Sequence, residues 1–309
     1  MYVIFRERAE KMGLENKGNG CFLYTDKFGT VVYRDLVTRD GVGILDNVDT
    51  RYLGVWTSNT PNPDSEFSFI GAVSDKYQFV GNEAVVNQIC NSIQEVGCPN
   101  FQENALFAPF KTQMRNEILV RNKFTMTEEG NIYPLIIVNN SYNGTKAVDV
   151  TFGIFIESMN NRYGNILFGF QEKLSKMRQV HLVDSRTTLT SVIGDYINDF
   201  SGGVSSIIDS NFREKIDVPD MMRVLGLIEK IGKRKKKEVA EYINKLQEMD
   251  KDEGKDDSLT TWKLFLAITR FSTMEKNLNV KSLLENVAES VLTVPVAMVR
   301  TVQALEKQE

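Results

Sequence analysis

Hydrophobic and polar positions follow two different periods along this chain, and the change of period falls near residue 161. Before it, short apolar runs bounded by Gly, Asn, Asp and Pro predict strands, as at Phe28–Tyr33 and Phe67–Ile70. Residues 82–96 interrupt them: Val85, Val86, Ile89, Ile93 and Val96 recur at helical spacing and predict one amphipathic helix. Ile118, Val120 and Phe124 alternate with Leu119, Arg121 and Lys123, which predicts a strand with one basic face. The clearest element is a hairpin. Tyr133–Val138 is continuously apolar, Asn139 to Gly144 is turn chemistry ending in Asn-Gly, and Val148, Val150, Phe152, Ile154 and Ile156 then hold a strict period of two.

From 161 onward the pattern is mostly helical, apart from a short strand expected at Met177–Val183. Helices are predicted over Thr187–Phe200, ending at Ser201-Gly202-Gly203, and from Asp217 through Val218, Met221, Met222, Leu225 and Ile228. A charged helix starts at Lys233-Arg234-Lys235-Lys236-Lys237 and runs to about Gln247, followed by an acidic loop over Asp250–Asp257. Ser258–Phe271 is apolar nearly all round, the mark of a central buried helix. Val280, Leu283, Leu284, Val287 and Val291 line another, and Pro295 suits the first turn of a last one. The expected fold is α+β: residues 1–160 mainly β with one helix, giving an antiparallel sheet, and residues 161–309 mainly helical, packed with the first region as one compact unit.

Composition narrows the functions open to such a fold. The 309 residues carry 37 Lys+Arg against 41 Asp+Glu, a net charge of −4, with 42% hydrophobic residues, as in ordinary globular chains. A single histidine, His181, removes every site that needs two imidazoles. Cys21, Cys90 and Cys98 are odd in number and lack paired spacing, so they read as free thiols in a reducing compartment, with no zinc or other metal site expected. The sequons at Asn139 and Asn143 then carry no glycosylation signal. Charges at Arg6, Glu7, Arg8 and Glu10 break any leader-like run, and Val291–Val299 falls well short of the roughly 20 residues that span a bilayer, so neither secretion nor membrane insertion is expected.

Chemical motifs are sparse. GxxxxGK[ST], GxGxxG and GxSxG are all missing, and Gly41-Val42-Gly43 leads into Ile44-Leu45-Asp46 instead of completing a phosphate loop. His181 could serve as a general base, and the acidic residues Asp250, Asp252, Glu253, Asp256 and Asp257 could hold Mg²⁺, but a structural histidine and a solvated loop are the commoner outcomes. No cofactor is expected. Basic segments are the better signal: Lys111, Arg115, Arg121 and Lys123 stand against Glu117 alone, and Arg162, Lys173, Lys176, Arg178 and Arg186 outnumber Glu172 and Asp184. The stretch from 111 to 186 is therefore basic, and the rest of the chain is acidic. Such patches track phosphate backbones, with aromatic rings nearby to stack on unpaired bases. The run at 233–237 is ambiguous between such a patch and a solvated helix face.

Four segments carry a resemblance. Asn140-Ser141-Tyr142-Asn143-Gly144-Thr145-Lys146-Ala147-Val148 resembles the "NSHDGSSA" hairpin of a family of phage- and plasmid-associated proteins of uncharacterised function. In the same order, Ser74 to Ala84 resembles that family's "DRYxPVQNxEA" segment, Met177-Arg178-Gln179-Val180-His181 its "R-x-R-H" strand, and Thr261 to Thr269 its "TAWxxxNAVTE" helix. The chain departs from the pattern at Tyr142, where the family has His, and at Leu266, where it has Asn. The resemblance implies a phage- or plasmid-borne gene acting in the cytoplasm of an infected bacterium. The order of strands and helix is also loosely similar to that of single-strand annealing proteins.

These observations lead to one expected function and two alternatives. The first is a non-enzymatic single-stranded DNA-binding or annealing protein of replication or recombination, assembled as a homo-oligomer. Its phosphate contacts would be Arg115, Arg121, Lys123, Lys146, Arg162, Lys173, Lys176 and Arg178, with His181 at the same surface and Tyr133, Tyr142 or Tyr163 stacking on bases. The second is a phage structural or host-takeover protein working through protein–protein contacts. The third is an enzyme using His181 or a carboxylate pair.

Overall fold

The computed structural model describes residues 14–18, 21–35, 52–58, 67–74, 79–109, 112–127, 130–145, 148–158, 165–169, 186–212, 215–216, 221, 233–254 and 256–293. Within them the chain is α+β, as expected, but it builds two antiparallel sheets where one was expected. Alternation marks the two faces of a strand; it carries no information on which strands share a sheet.

The first sheet is a meander of β1 (Glu15–Gly18), β2 (Cys21–Asp26), β3 (Gly29–Asp35), β4 (Tyr52–Ser58) and β5 (Ser68–Ser74), each paired with the next. Val31 and Tyr33 of β3 point to one face, as period two requires, and join Val55, Val73, Phe79 and Tyr142 in a small core. Tyr142 stands in the turn directly after the strand Gly130–Ser141 of the second sheet, so this core ties the two sheets together.

The second sheet contains β6 (Phe101–Phe107), β7 (Gln113–Val120), β8 (Thr125–Thr127), β9 (Gly130–Ser141), β10 (Asp149–Ser158) and β11 (Ile166–Gly169). Its order is β11-β10-β9-β7-β6, with β8 following β7 along the same side of β9. The expected hairpin is β9–β10, in unbroken register from Asn139↔Asp149 to Ser158↔Gly130. Pro134 falls between the β7 and β8 pairings of β9, where a missing backbone donor costs the ladder least. There the segment from Arg121 to Phe124 leaves the sheet, so the predicted basic strand face is corrected: β7 ends at Val120 and both Arg121 and Lys123 lie beyond it.

On one face of this sheet the central strands carry buried apolar side chains. Ile118, Ile136, Val138 and Phe152 pack against Val86, Ile89 and Ile93 of α1 (Asn82–Glu95) and Leu189, Ile193 and Ile197 of α2 (Arg186–Phe212). Ile154, Ile156, Ile166 and Phe168 continue into a second core with α3 (Lys233–Asp252), α4 (Thr261–Met274) and α5 (Leu278–Thr293). The centre of that core is α4, whose Trp262, Leu264, Phe265, Leu266 and Ile268 are all buried, and the Thr260 hydroxyl accepts from the Lys263 N–H at 3.1 Å to cap it.

Two helix boundaries depart from expectation. Gly202-Gly203 does not break α2; Phe200 and Val204 are buried on either side, and that burial outweighs about 1 kcal/mol of lost propensity per glycine. The acidic loop also starts later than predicted, because α3 runs on to Asp252 and Asp250 is buried against the Lys263 ammonium at 2.9 Å. The strand expected at 177–183, most of the helix expected from Asp217, and the turn at Pro295 lie outside the described residues. Among the described residues, no helix is long and apolar enough to cross a membrane.

Candidate nucleic-acid interface

Arg115 and Arg121, six residues apart and both basic candidates, meet opposite fates. Arg115 is buried, with 2% of its side chain exposed. Its Nη1 and Nη2 donate to the two carboxylate oxygens of Glu285 on α5 at 2.9 and 2.6 Å, and its Nε donates to Glu117 Oε1 at 2.9 Å. The Lys281 ammonium approaches Glu117 at 3.4 Å, closing a buried cluster of two cations and two anions. Burial opposes the charge on Arg115, but Glu285 and then Glu117 outweigh it and hold its pKa above the ordinary value. Arg115 is therefore corrected from a phosphate contact to a structural ion: its donors are spent inside the protein.

Arg121 stands at the surface end of β7. Its guanidinium lies over the Tyr133 ring at 4.7 Å and the Phe155 ring at 5.5 Å. Tyr133 and Phe155 are direct cross-strand partners in the hairpin, so the register itself builds this aromatic floor. Nη1 donates to Glu157 Oε1 at 3.1 Å and Nη2 to Gln102 Oε1 at 3.3 Å. Glu157, two residues after Phe155 and so on the same strand face, also accepts from the Tyr133 hydroxyl at 3.1 Å. Beside this assembly Phe124 packs on Tyr133 with ring centroids 5.7 Å apart. Phe124 remains 49% exposed and Met126 69% exposed, while Lys123 between them and Arg121 is also exposed.

The result is a surface on which Arg121 lies over Tyr133 and Phe155 beside the exposed Phe124, with Met126 also exposed; Lys123, one residue before Phe124, is exposed and its charge also acts on Cys98. Sequence reading singled out Arg121, Lys123 and Tyr133 but missed Phe124, Met126, Phe155, Gln102 and Glu157. A signal existed for Phe124 and Met126, since they are large apolar residues in an otherwise polar segment, Asn122 to Thr127.

Other candidates fall elsewhere. Tyr142 is corrected as a stacking residue: it is buried, nearly parallel to Phe79 at 5.7 Å, and its hydroxyl donates to Asp26 Oδ2 at 3.3 Å while accepting from the Asn82 N–H at 3.3 Å. Burial and the Asp26 charge push its pKa well above the ordinary phenol value. Within the 233–237 run, Arg234, 92% exposed, pairs with Glu238 at 2.9 Å and Lys237 with Glu241 at 3.6 Å along the same helix, while Lys235 bridges Glu238 at 3.4 Å and Glu275, at the end of α4, at 3.3 Å. This is the solvated face of a helix. Lys146, Arg162, Lys173, Lys176, Arg178, His181 and Tyr163 lie outside the described residues. Among the described residues no group of three or more His, Cys, Asp or Glu side chains is placed to hold a metal ion. Cys90 is buried, and burial followed by the charge of Glu103 pushes its thiol up to about 12, far from a reactive thiolate. No protein-family model, no curated protein and no solved structure matches this chain.

Proposed function

We propose that this protein binds single-stranded nucleic acid without cleaving it, as a phage- or plasmid-encoded DNA-binding or annealing protein of replication or recombination in the bacterial cytoplasm. The observation that carries the reading is the surface at Arg121, Lys123 and Phe124. A cation stacked on aromatic rings beside an exposed ring is the arrangement that holds a phosphate and an unpaired base together. In this mechanism Lys123 and Arg121 neutralise neighbouring phosphates, and the free face of Phe124 takes one base. Base stacking of this kind is tolerant of sequence, because every base offers a π-face. The segment resemblance to phage- and plasmid-associated proteins agrees with such a role.

Fluorescence anisotropy with a labelled oligothymidylate at low salt tests it. Binding should appear and weaken steeply with salt. Phe124→Ala should cost about 1–3 kcal/mol, the usual worth of one base–aromatic stack. Absence of binding at low salt would remove the reading. The exposed Met126 and Phe124 favour one other occupant, an apolar protein surface of a phage or host partner. In that case a nuclease-treated pull-down would retain a partner that Met126→Lys abolishes.

A further inference from the structure

The carboxylate that holds Arg121 sits where a phosphate would. Arg121 keeps its guanidinium over Tyr133 and Phe155, at 4.7 and 5.5 Å from the ring centroids, and offers an anion its N–H groups, which lie in the guanidinium plane. Glu157 takes one of them at 3.1 Å, and the neutral Gln102 takes another at 3.3 Å. The second oxygen of Glu157 is fixed by the Tyr133 hydroxyl, so the carboxylate is aimed by two donors at once. Arg121 is 22% exposed and Glu157 is 41% exposed, which places the pair within reach of solvent and of a ligand.

We propose that Glu157 is an internal competitor for the nucleic-acid phosphate: it occupies Arg121 in the free protein and must be displaced on binding. This rests on the nucleic-acid reading of the same surface. Carboxylate and phosphate both present paired oxygens to a guanidinium, and an exposed ion pair of this type is worth only about two- to fivefold in equilibrium. A lone inorganic phosphate, with no second contact, does not gain enough to displace it. A strand that places one phosphate on Lys123 and a base on Phe124 does. Glu157 thus makes the site selective for polyanions that carry stackable bases, while Tyr133 and Gln102 keep Arg121 in its binding rotamer.

The test compares wild type, Glu157→Gln, Arg121→Gln and the double variant by anisotropy with labelled oligothymidylate across a salt series. Glutamine keeps the size of the side chain and an oxygen for the Tyr133 hydroxyl. Glu157→Gln should tighten binding about two- to fivefold. It should also steepen the dependence of log K on log salt by up to about 0.7, the contribution of one cation on a single strand. In the Arg121→Gln background the gain should vanish, whereas a general loss of negative charge would persist there. Unchanged or weaker binding by Glu157→Gln, or a gain that survives without Arg121, overturns the proposal while leaving the nucleic-acid reading intact. If wild type itself does not bind the oligonucleotide, that reading fails first. Glu157→Ala is the second variant and should give the same sign.

Discussion

Replacing Arg115 by methionine keeps the length of the side chain and removes the charge from a cluster in which all four members are buried. Glu285 then loses both guanidinium bonds, at 2.6 and 2.9 Å, and Glu117 keeps only Lys281 at 3.4 Å and the Asn104 amide at 3.1 Å. The cluster goes from balanced to one excess negative charge in a region that water does not reach. Breaking a buried pair by deleting one partner costs about 3–5 kcal/mol, most of it the penalty on the stranded charge. Removing Glu285 as well restores balance, since Glu117 and Lys281 remain as an opposite pair, and methionine at both positions refills the volume. The double variant Arg115→Met/Glu285→Met should therefore lie within about 1 kcal/mol of wild type. Equilibrium urea unfolding of the four proteins, followed by the fluorescence of the buried Trp262 in the neighbouring helix, measures the cycle. A single variant costing under about 1 kcal/mol, or a double variant as unstable as the sum of the singles, would refute the stranded-charge reasoning.

Asp26→Ala should cost about 2–4 kcal/mol in the same assay. Asp26 Oδ2 accepts from the Glu83 N–H at 3.1 Å and so caps α1 from a distant strand, because Gly81 at the cap position has no side chain; the Tyr142 hydroxyl would also lose its partner. Gly81→Ala should destabilise by about 1–3 kcal/mol, since a Cβ there would fall inside the van der Waals radius of the Tyr24 hydroxyl; a melting temperature equal to wild type would contradict this packing. Cys90 should resist alkylation by iodoacetamide in native protein at pH 8 and react on unfolding, as read by mass spectrometry. Its raised folded pKa also means that stability is fully present below the ordinary thiol value of 9.0 and lost as pH rises toward about 12, so Cys90→Ala should flatten alkaline unfolding in that window.

Local pattern determined several elements of this protein outright. The hairpin β9–β10 was legible because a period of two and an Asn-Gly turn are properties of adjacent residues, and α1 and α4 because their apolar positions repeat at helical spacing. Strands β4 and β6 were not legible: β4 carries Gly54 amid mixed residues, and β6 places Gln102, Glu103 and Asn104 at an edge where little is buried. Tertiary structure alone decided the roles of the charges. Arg115 and Arg121 sit in similar basic surroundings in the sequence, yet Arg115 is enclosed by Glu285, 170 positions away, and Arg121 is left at the surface on a floor of Tyr133 and Phe155. Tyr142 and Asp250 likewise changed from surface chemistry to core through partners distant in the chain or on another helix. Periodicity reports which face of an element is apolar, but what covers that face depends on contacts between segments far apart in sequence. Whether a cation becomes a structural ion or a binding group is settled by that covering.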